Sequence, residues 1–330
     1  MDFKWGIIGT GGIAKAFSND LNYLPGHTVH AVGSRTKESA ISFCSEYPEC
    51  IPYSSYDDLV NDLDIDAVYV ATPHAFHFRD TLLALNANKP VLCEKAFSIN
   101  ESEAKMMVAL AKKKNLMLME AMWMRFLPHI KIVKELLDEN LIGEVQLLHA
   151  NHGQNLLMHD NPRIFEPELG GGALLDLGVY PISLANLVLG EPQKIVATGI
   201  LTSNSVDSQT NAIFEYPNGA TAVISACFNS QTPCDAYISG TKGRIEIDRT
   251  FYCPTSVRLI LNDGTIKEYI SNYIGHGLRE EASEFARCVR DGLIESQLMS
   301  HEDSIRIMAT MDIIRSQIGL EYPNDKIDNS

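Results

Sequence analysis

The sequence predicts two domains of different fold class, an α/β domain over residues 1–121 and an α+β domain over residues 122–330. Strand and helix patterns alternate through the first domain, and this alternation stops near residue 122. Because strands that alternate with helices are joined by right-handed crossovers, the first domain is predicted to be a doubly wound parallel sheet. Residues 195–270 contain successive strand patterns with hairpin signals, which predict a large, mostly antiparallel open sheet in the second domain.

The first domain repeats a short apolar run followed by apolar residues at helical spacing. Residues 67–71 (AVYVA) are continuously apolar, which is typical of a strand buried on both faces of a sheet. Asn100 followed by Glu103 is typical of a helix N-cap with its capping-box partner. The predicted strands are residues 5–8, 28–32, 67–71, 90–93 and 116–120, and the predicted helices are residues 13–24, 38–47, 80–87 and 101–114.

The second domain contains a run of three glycines, Gly170-Gly171-Gly172, that introduces an apolar helix ending at Gly190. Asn218-Gly219 and Asp263-Gly264 are typical of tight turns between antiparallel strands. The other predicted elements are a strand over residues 144–151 and helices over residues 130–140, 277–291 and 302–318.

The charge and the apolar content of the chain limit its partners. The formal net charge is −15, from 42 acidic and 27 basic side chains, which argues against nucleic acid or an acidic membrane surface as a partner. The sequence contains no run of about 18 apolar residues, so no membrane span is predicted. Residues 1–8 lack the basic start and longer apolar region of a signal peptide. We therefore expect a cytoplasmic protein without a membrane partner.

The cysteines point to reduced thiols. There are seven, an odd number, and none forms a C-x-x-C pair. The expected state is buried, reduced thiols in a cytosolic protein, and no metal site is predicted. The seven are Cys44, Cys50, Cys93, Cys227, Cys234, Cys253 and Cys288.

A glycine-rich segment, residues 9–14 (GTGGIA), matches the pattern G-x-G-x-x-A between the first predicted strand and helix. Gly9 allows a tight turn, Gly11 lets the backbone approach a pyrophosphate, and Ala14 lets the helix pack on the sheet. The free N–H groups at the helix start favour a phosphate. The pattern in this context predicts a Rossmann dinucleotide site, against the alternative of a glycine-rich turn without a ligand. Its predicted cofactor contacts are Gly9, Thr10, Gly11, Gly12 and Ile13.

Ser34 and Arg35 follow the second predicted strand, where an NAD-preferring site has an acidic residue for the ribose 2′-hydroxyl. A hydroxyl and a guanidinium suit a 2′-phosphate instead, because Arg binds phosphate through two parallel hydrogen bonds. The pair predicts NADP(H) as cofactor. NAD(H) stays possible, since Arg35 can also stack on adenine or be a solvated loop residue.

Two further segments follow the carboxyl ends of predicted parallel strands, where ligands bind in this class of sheet. They contain Thr72, His74 and His77 in the first and Glu94 and Lys95 in the second, and all five are predicted cofactor contacts. A lysine at a buried strand end is costly without a partner, so Lys95 either pairs with an acid such as Glu94 or lies beside the nicotinamide ribose and the substrate oxygen. The alternative for His77 is a plain polar residue on the following helix.

Asp176 and Tyr180 follow the three glycines and share a helix face if the turns run continuously. Pro181 is tolerated in the first turn of a helix, which places the pair near a helix start. A phenol beside a lysine ammonium is stabilised in its ionised form and can exchange a proton with a hydroxyl during hydride transfer. The alternative is that Tyr180 only packs.

Six segments together resemble the glucose–fructose oxidoreductase/inositol dehydrogenase (Gfo/Idh/MocA) family, within it most of all the dimeric dihydrodiol dehydrogenases and the NADP-dependent xylose dehydrogenases. They are GIIGTGGIAKAF, VATPHAFHF, CEKAF, EAMWMRFLP, GGGALLDLGVYPISLA and GHGLREEASEF, which span residues 6 to 285. The ordered set is specific, although no single segment is.

The resemblance implies roles for particular residues. Lys95 would be the catalytic lysine, Tyr180 the acid/base, and Asp176 its assistant. His77 and Trp123 would line the substrate pocket together with Tyr180. The reaction would be hydride transfer between NADP(H) and a vicinal diol, aldose or related polyol, in a homodimer that pairs through the open sheet.

Two departures from the family pattern and two rival functions are also considered. The proline after the family lysine is Ala96 here, and a cis peptide before a non-proline residue costs ~3 kcal/mol, so a trans peptide and a differently shaped loop are expected. Glu280 replaces an aromatic residue at the pocket edge. The rivals are a regulator that binds a dinucleotide without turnover and an enzyme that retains and recycles NAD, such as a glycosidase or a sugar–sugar oxidoreductase.

Overall fold

Two β-sheets organise the chain, one in each of two units. The computed structural model describes residues 2–158 and 162–325. The first unit comprises Met1–Trp123 and Gly275–Ile305, and the second comprises Met124–Ile274 and Arg306–Ser330. The sequence analysis drew a single boundary near residue 122, whereas in the structure residues 275–305 group with the first unit.

The first unit contains a parallel sheet of six strands in the order β3-β2-β1-β4-β5-β6, and the predicted doubly wound fold is confirmed. The strand β3 and the helix α3 were not predicted, and α4 begins six residues earlier than the predicted helix. The strands are β1 (Phe3–Ile8), β2 (His27–Gly33), β3 (Ile51–Tyr53), β4 (Ala67–Val70), β5 (Val91–Glu94) and β6 (Leu118–Ala121). The helices are α1 (Gly12–Leu21), α2 (Lys37–Cys44), α3 (Tyr56–Val60), α4 (His74–Asn86) and α5 (Glu101–Lys114).

Residues 275–305 return to the first unit because three of its elements bind them. The Asp20 carboxylate at the end of α1 accepts three backbone N–H groups at 2.7 Å, those of residues 276, 277 and 278. The ring of Phe285, on helix α8 (Arg279–Arg290), lies 5.4 Å from the ring of Trp5 on β1. The Leu118 N–H of β6 donates to the Ile294 carbonyl at 3.1 Å. These long-range contacts leave no local signal in the sequence.

The second unit contains an open sheet of eight strands in the order β14-β13-β12-β11-β7-β10-β9-β8. Its pairs are antiparallel except β7 with β10, so the predicted mostly antiparallel sheet is confirmed. The strands are β7 (Val145–Gly153), β8 (Lys194–Leu201), β9 (Asp207–Glu215), β10 (Thr221–Cys227), β11 (Ala236–Gly240), β12 (Gly243–Ile247), β13 (Val257–Leu261) and β14 (Ile266–Tyr269). The helices are α6 (Pro128–Asp138) and α7 (Val179–Leu189), and α9 (His301–Ile318) begins in the first unit and ends in the second.

One face of this sheet carries a row of partly exposed apolar side chains, here called the open face. Val196, Ile213 and Val223 are paired across β8, β9 and β10, and the row continues through His149 and Tyr237. Val196 is 49% exposed and Ile213 is 47% exposed. Phe228, just after β10, does not belong to this face, because it is 1% exposed and packs in the core with Ile164.

The cysteines differ from the expected reduced state at one place. Cys44, at the end of α2, is joined to Cys50 by a disulfide. The pairing closes a short loop between α2 and β3, so the prediction of seven reduced thiols is wrong for these two. The other five are free, and Cys253 is only partly buried.

One helical stretch in the described residues, Pro167–Leu189, has the length and hydropathy of a membrane span. Within its most apolar window, 78% of the residues are buried inside the protein. This burial is typical of a core helix.

Candidate active site

The phosphate loop lies between β1 and α1, as predicted. Gly9 has φ +111°, and a Cβ there would lie 2.7 Å from the Ala71 carbonyl oxygen, so the turn requires glycine. At Gly11 and Gly12 an added Cβ would meet no atom within 4 Å, which leaves open space beside the loop. The helix α1 starts without a side-chain cap and without an acidic residue in its first turn. Its first N–H groups therefore suit a phosphate, and the loop fits a dinucleotide.

Ser34 and Arg35 lie directly after β2. Ser34 is 8% exposed, and its N–H donates to the Tyr53 carbonyl of β3 at 3.1 Å. Arg35 is exposed, and Thr36 then caps α2 by accepting from the Ser39 N–H. The strand thus delivers a fixed backbone at Ser34 and a solvent-accessible guanidinium at Arg35, an arrangement that fits a phosphate on the ribose.

His77 connects the two strand-end segments. On α4 it is 1% exposed, with Nδ1 2.8 Å from the Ala96 carbonyl and Nε2 2.8 Å from the Thr72 carbonyl. Because a carbonyl oxygen only accepts, a neutral ring donates to one of them and an imidazolium donates to both. The His74 ring lies 5.6 Å away, edge-on to that of His77. His77 therefore holds the loop after Lys95 against the loop after β4, and its substrate contact stays a prediction.

Thr72 belongs to a polar network that the sequence did not indicate. Its hydroxyl donates to Asp80 at 2.9 Å, and Asp80, which is fully buried, pairs with Arg79 at 2.8 Å. Asp80 lies six positions after His74 on α4, so only the folded helix brings it to Thr72. The network fixes the Thr72 side chain at the strand end.

Lys95 follows β5 and precedes a cis peptide to Ala96, so the expected trans peptide is wrong. Ala96 is fully buried, and its carbonyl faces His77, so the surrounding contacts define this loop. The Lys95 N–H donates to the Glu94 carboxylate at 3.2 Å. Glu94 is 3% exposed and also accepts from the Tyr69 hydroxyl. Its carboxylate thus orients the backbone that carries Lys95, and its contact with a cofactor stays a prediction.

Trp123 ends the first segment of the first unit. It is 3% exposed, and its ring stacks on that of His276 at 5.1 Å and 25°. His276 is exposed and belongs to the returning residues 275–305. His276 lies 153 positions after Trp123 in the sequence, and local sequence patterns do not reveal a contact over such a separation.

In the second unit, Asp176 lies in a π-helical turn, Leu174–Gly178, and Tyr180 lies in the first turn of α7. The turns do not run as a continuous α-helix, so the assumption behind the predicted shared face is wrong. Asp176 pairs with Arg163 at 3.1 Å. Asp207 anchors the turn by accepting from the Leu174 N–H at 2.8 Å, and burial raises the pKa of Asp207 to about 7.

Tyr180 belongs to an aromatic cluster with His152 and Tyr252. The Tyr180 ring lies 5.3 Å from that of His152 and 4.8 Å from that of Tyr252, while His152 stacks on Tyr252 at 4.0 Å. The carbonyl of Leu177 only accepts, so His152 Nδ1 donates to it at 3.1 Å. His152 Nε2 then accepts from the Gln154 amide at 2.9 Å, and the same amide donates to the Tyr252 hydroxyl at 2.7 Å.

This cluster was missed by sequence reasoning because its members come from β7, α7 and the turn after β12. Tyr180 is 5% exposed, so its ring is packed on several sides while it keeps a small solvent contact. Burial raises the pKa of Tyr252, which keeps that phenol neutral.

One set of side chains in the described residues has the spacing of metal ligands. His30, Asp62 and Asp64 have ligand atoms within 4.8 Å of one another. His30 Nε2 lies 3.6 Å from an Asp62 oxygen, the geometry of an ion pair when the ring is protonated. Exposed acidic groups are common without a metal, and the sequence predicted none.

Two protein-family models match the chain. Residues 3–122 match the oxidoreductase family with the NAD-binding Rossmann fold, GFO_IDH_MocA. Residues 130–246 match the GFO/IDH/MocA C-terminal domain. The first model covers the six-stranded sheet, and the second covers much of the eight-stranded sheet.

Curated relatives extend over almost the whole chain. A trans-1,2-dihydrobenzene-1,2-diol dehydrogenase of Danio rerio is 37% identical over 98% of this chain and 99% of its own length. A D-xylose 1-dehydrogenase (NADP(+)) of Hypocrea jecorina is 36% identical over 97% of this chain and 93% of its own length. A solved structure of a 3-ketoreductase from Actinomadura kijaniata, in complex with NADP and TDP-benzene, has a TM-score of 0.86 and 28% identity, covering 96% of this chain and 98% of that chain.

Proposed function

The chain belongs to the GFO/IDH/MocA oxidoreductase family, and we propose that it transfers a hydride between NADP(H) and a CH–OH group of a vicinal diol, aldose or related polyol. The observation that carries the proposal is the phosphate loop followed by Ser34 and Arg35, in a chain whose full-length relatives are named for a dihydrodiol and for xylose with NADP⁺. When bound, the cofactor supplies C4 of its nicotinamide ring as the hydride acceptor or donor.

Two side chains carry the remaining chemistry in this proposal. In the direction of oxidation, Tyr180 takes the proton of the substrate hydroxyl as a general base. The Lys95 ammonium stabilises the negative charge that develops on that oxygen. His77 and Glu94 hold the backbone on either side of Lys95, through the Ala96 carbonyl and the Lys95 N–H. Asp176, paired with Arg163, supports the turn before Tyr180.

The substrate class is tested by a screen. Aldoses, vicinal diols and polyols are incubated with NADP⁺ and, separately, NAD⁺, and absorbance of the reduced nicotinamide is followed. We expect turnover of at least one member with NADP⁺. Absence of turnover with every member, in a protein that binds NADP(H), would favour the non-catalytic regulator instead.

The retained-cofactor alternative predicts a different observation. An enzyme that recycles its NAD keeps a dinucleotide through purification and turns over without added NADP⁺. We expect the purified protein to release no stoichiometric dinucleotide on acid denaturation. Stoichiometric NAD in the released fraction would identify the recycling enzyme.

Two further proposals concern assembly and location. We propose a homodimer that pairs through the open face, supported by its partly exposed row of Val196, Ile213 and Val223. We also propose a cytoplasmic location, supported by the five free cysteines, while the Cys44–Cys50 disulfide argues against it. Fractionation of cells that express the tagged full-length chain tests the location.

A further inference from the structure

Glu281 is a carboxyl group that the proposed chemistry does not use. It lies in the first turn of α8 and is 0% exposed. Neither of its carboxyl oxygens has a hydrogen-bond partner among residues 2–158 and 162–325. An ionised carboxylate in such surroundings is strongly disfavoured, so Glu281 is expected to carry a proton.

Carboxyl groups on four elements act electrostatically on Glu281. Glu94 of β5, Asp20 of α1 and Glu120 of β6 act on it electrostatically, and Glu280 is its neighbour on α8. The phenol of Tyr69 on β4 belongs to the same group of side chains. Burial and, next, the charge of Glu94 raise the pKa of Glu281 well above its usual range.

Glu94 differs from Glu281 in its hydrogen bonds. Its Oε1 accepts from the Tyr69 hydroxyl, and its Oε2 accepts from the Lys95 N–H at 3.2 Å. Hydrogen bonds that are donated to both oxygens favour the ionised form. Two neighbouring carboxyl groups in different environments therefore differ in how readily each one ionises.

We propose that Glu281 is a positioning residue that holds a proton beside Glu94, so that the single charge of the pair stays on the carboxylate that orients the Lys95 backbone. The inference rests on the proposed function through the role of Lys95. If Glu281 ionises at alkaline pH, a second buried charge repels Glu94 and displaces the Lys95 backbone. The first unit should then lose both stability and affinity for NADP(H) as the pH rises.

The stability arm compares the wild-type protein with Glu281→Gln, which resembles the protonated acid. A carboxyl whose pKa is raised by folding stabilises the folded state less and less as the pH climbs from its unfolded value, about 4.3, to its folded value. The amide does not titrate. The melting temperature of Glu281→Gln minus that of the wild type should therefore widen by about 2–4 °C or more between about pH 5 and about pH 9. A difference that does not change with pH overturns the proposal.

Two companion variants keep this comparison decisive. Glu281→Leu removes the polar group and should show the same widening, which covers a failure of the amide to fold. Glu284→Gln lies one turn further along α8, where Glu284 pairs with Arg287 at 2.9 Å and has a lowered pKa through that hydrogen bond. The Glu284 carboxylate stabilises the folded protein above its unfolded pKa and loses this effect as the pH falls. Glu284→Gln should therefore be less stable than the wild type at neutral pH, whereas Glu281→Gln should gain stability relative to the wild type as the pH rises.

The cofactor arm titrates NADPH by fluorescence at the same pH values. Affinity of the wild-type protein should fall several-fold at the alkaline end, and Glu281→Gln should keep its affinity there. An equal alkaline loss in both proteins overturns the link to Lys95. Neither arm needs a substrate, so a failure of the proposed substrate class is seen only in the turnover screen and is distinguishable from a failure of this proposal.

Discussion

Arg35 and its neighbour Ser34 show how adjacent residues at one strand end take different tasks. Ser34 is buried and fixed through its backbone N–H to β3, whereas Arg35 is exposed. An exposed guanidinium after a fixed backbone can bind a 2′-phosphate with little loss of conformational freedom at the backbone. We therefore expect cofactor choice to depend on the Arg35 side chain.

Replacing Arg35 with alanine should weaken NADP(H) more than NAD(H), because only NADP(H) carries the 2′-phosphate. Loss of a charged hydrogen bond predicts a difference of about 1.5–3 kcal/mol in binding free energy. Fluorescence titration with both reduced cofactors measures it. Lys37→Ala, which removes a nearby exposed charge at the start of α2, is the control and should leave the ratio of affinities unchanged. Equal losses for both cofactors on Arg35→Ala would contradict the assignment.

Removing Lys95 or Tyr180 should lower turnover by roughly 10²–10⁴-fold, the usual contribution of acid/base help. Because we propose that both serve one proton-transfer step, the double variant should be little worse than the worse single one. Steady-state kinetics on Lys95→Met, Tyr180→Phe and the pair test this, with folding checked by circular dichroism. NADPH affinity of Tyr180→Phe should change much less than its turnover. Near-normal turnover of a folded Tyr180→Phe protein would refute the acid/base role.

Among the elements, the π-helical turn Leu174–Gly178 has the clearest structural requirements. It follows Gly172, whose φ of +110° favours glycine, and an added Cβ there would collide with the Asp207 carboxylate and lie 3.2 Å from the Tyr322 hydroxyl. Asp207 in turn accepts from the Leu174 N–H at 2.8 Å. The turn therefore depends on Gly172 and on the buried Asp207 carboxyl, because no side-chain cap is present at its start.

Gly172→Ala should destabilise the protein by about 2–4 kcal/mol, because the new side chain combines an unfavourable φ with a clash against buried groups. Gly190→Ala is the matched control, since Gly190 has φ +75° but an added Cβ would meet no atom within 4 Å. The control should cost about 1 kcal/mol, the backbone effect alone. Urea unfolding of both variants gives the comparison. Equal losses would show that contact with Asp207 does not matter.

Local signals account for the elements that the sequence predicted. The Asn100 side chain accepts from the Glu103 N–H, as the capping pattern indicated, because a cap is made by residues three apart. The phosphate loop is equally local. In contrast, β3 (Ile51–Tyr53) is only three residues long and partly exposed, so it has little apolar pattern to detect.

The site residues that the sequence missed depend on distant contacts. His152 acquires its place from Leu177 and Tyr252, and His276 stacks on the predicted Trp123 from a distant part of the sequence. The peptide before Ala96 was expected to be trans from its chemistry alone, whereas it is cis in the structure. Sequence patterns therefore identified the candidate residues at strand ends, but they identified less well the side chains that hold those residues in place.

For the whole molecule, the open face determines the proposed assembly. Ile213→Lys places a charge in the middle of the row that pairs Val196, Ile213 and Val223, and it should convert the dimer to a monomer. Light scattering at micromolar concentration measures the mass. Leu63→Lys is the control, because Leu63 is 94% exposed in the first unit and should leave the mass unchanged. A monomer mass for the unmodified protein would remove the proposal.

The return of residues 275–305 to the first unit has a consequence for biosynthesis. A domain at the start of a chain usually folds while the rest is still being translated. Here the first unit lacks the loop bound by Asp20 and α8 until residues 276–290 have left the ribosome, and it is complete only at residue 305. The second unit needs residues beyond that point. The apolar surface around Trp5 that Phe285 later covers stays open for most of translation. Nascent chains of this protein should therefore depend on chaperone protection until synthesis is almost finished, and a gene truncated after residue 123 should yield an aggregating product.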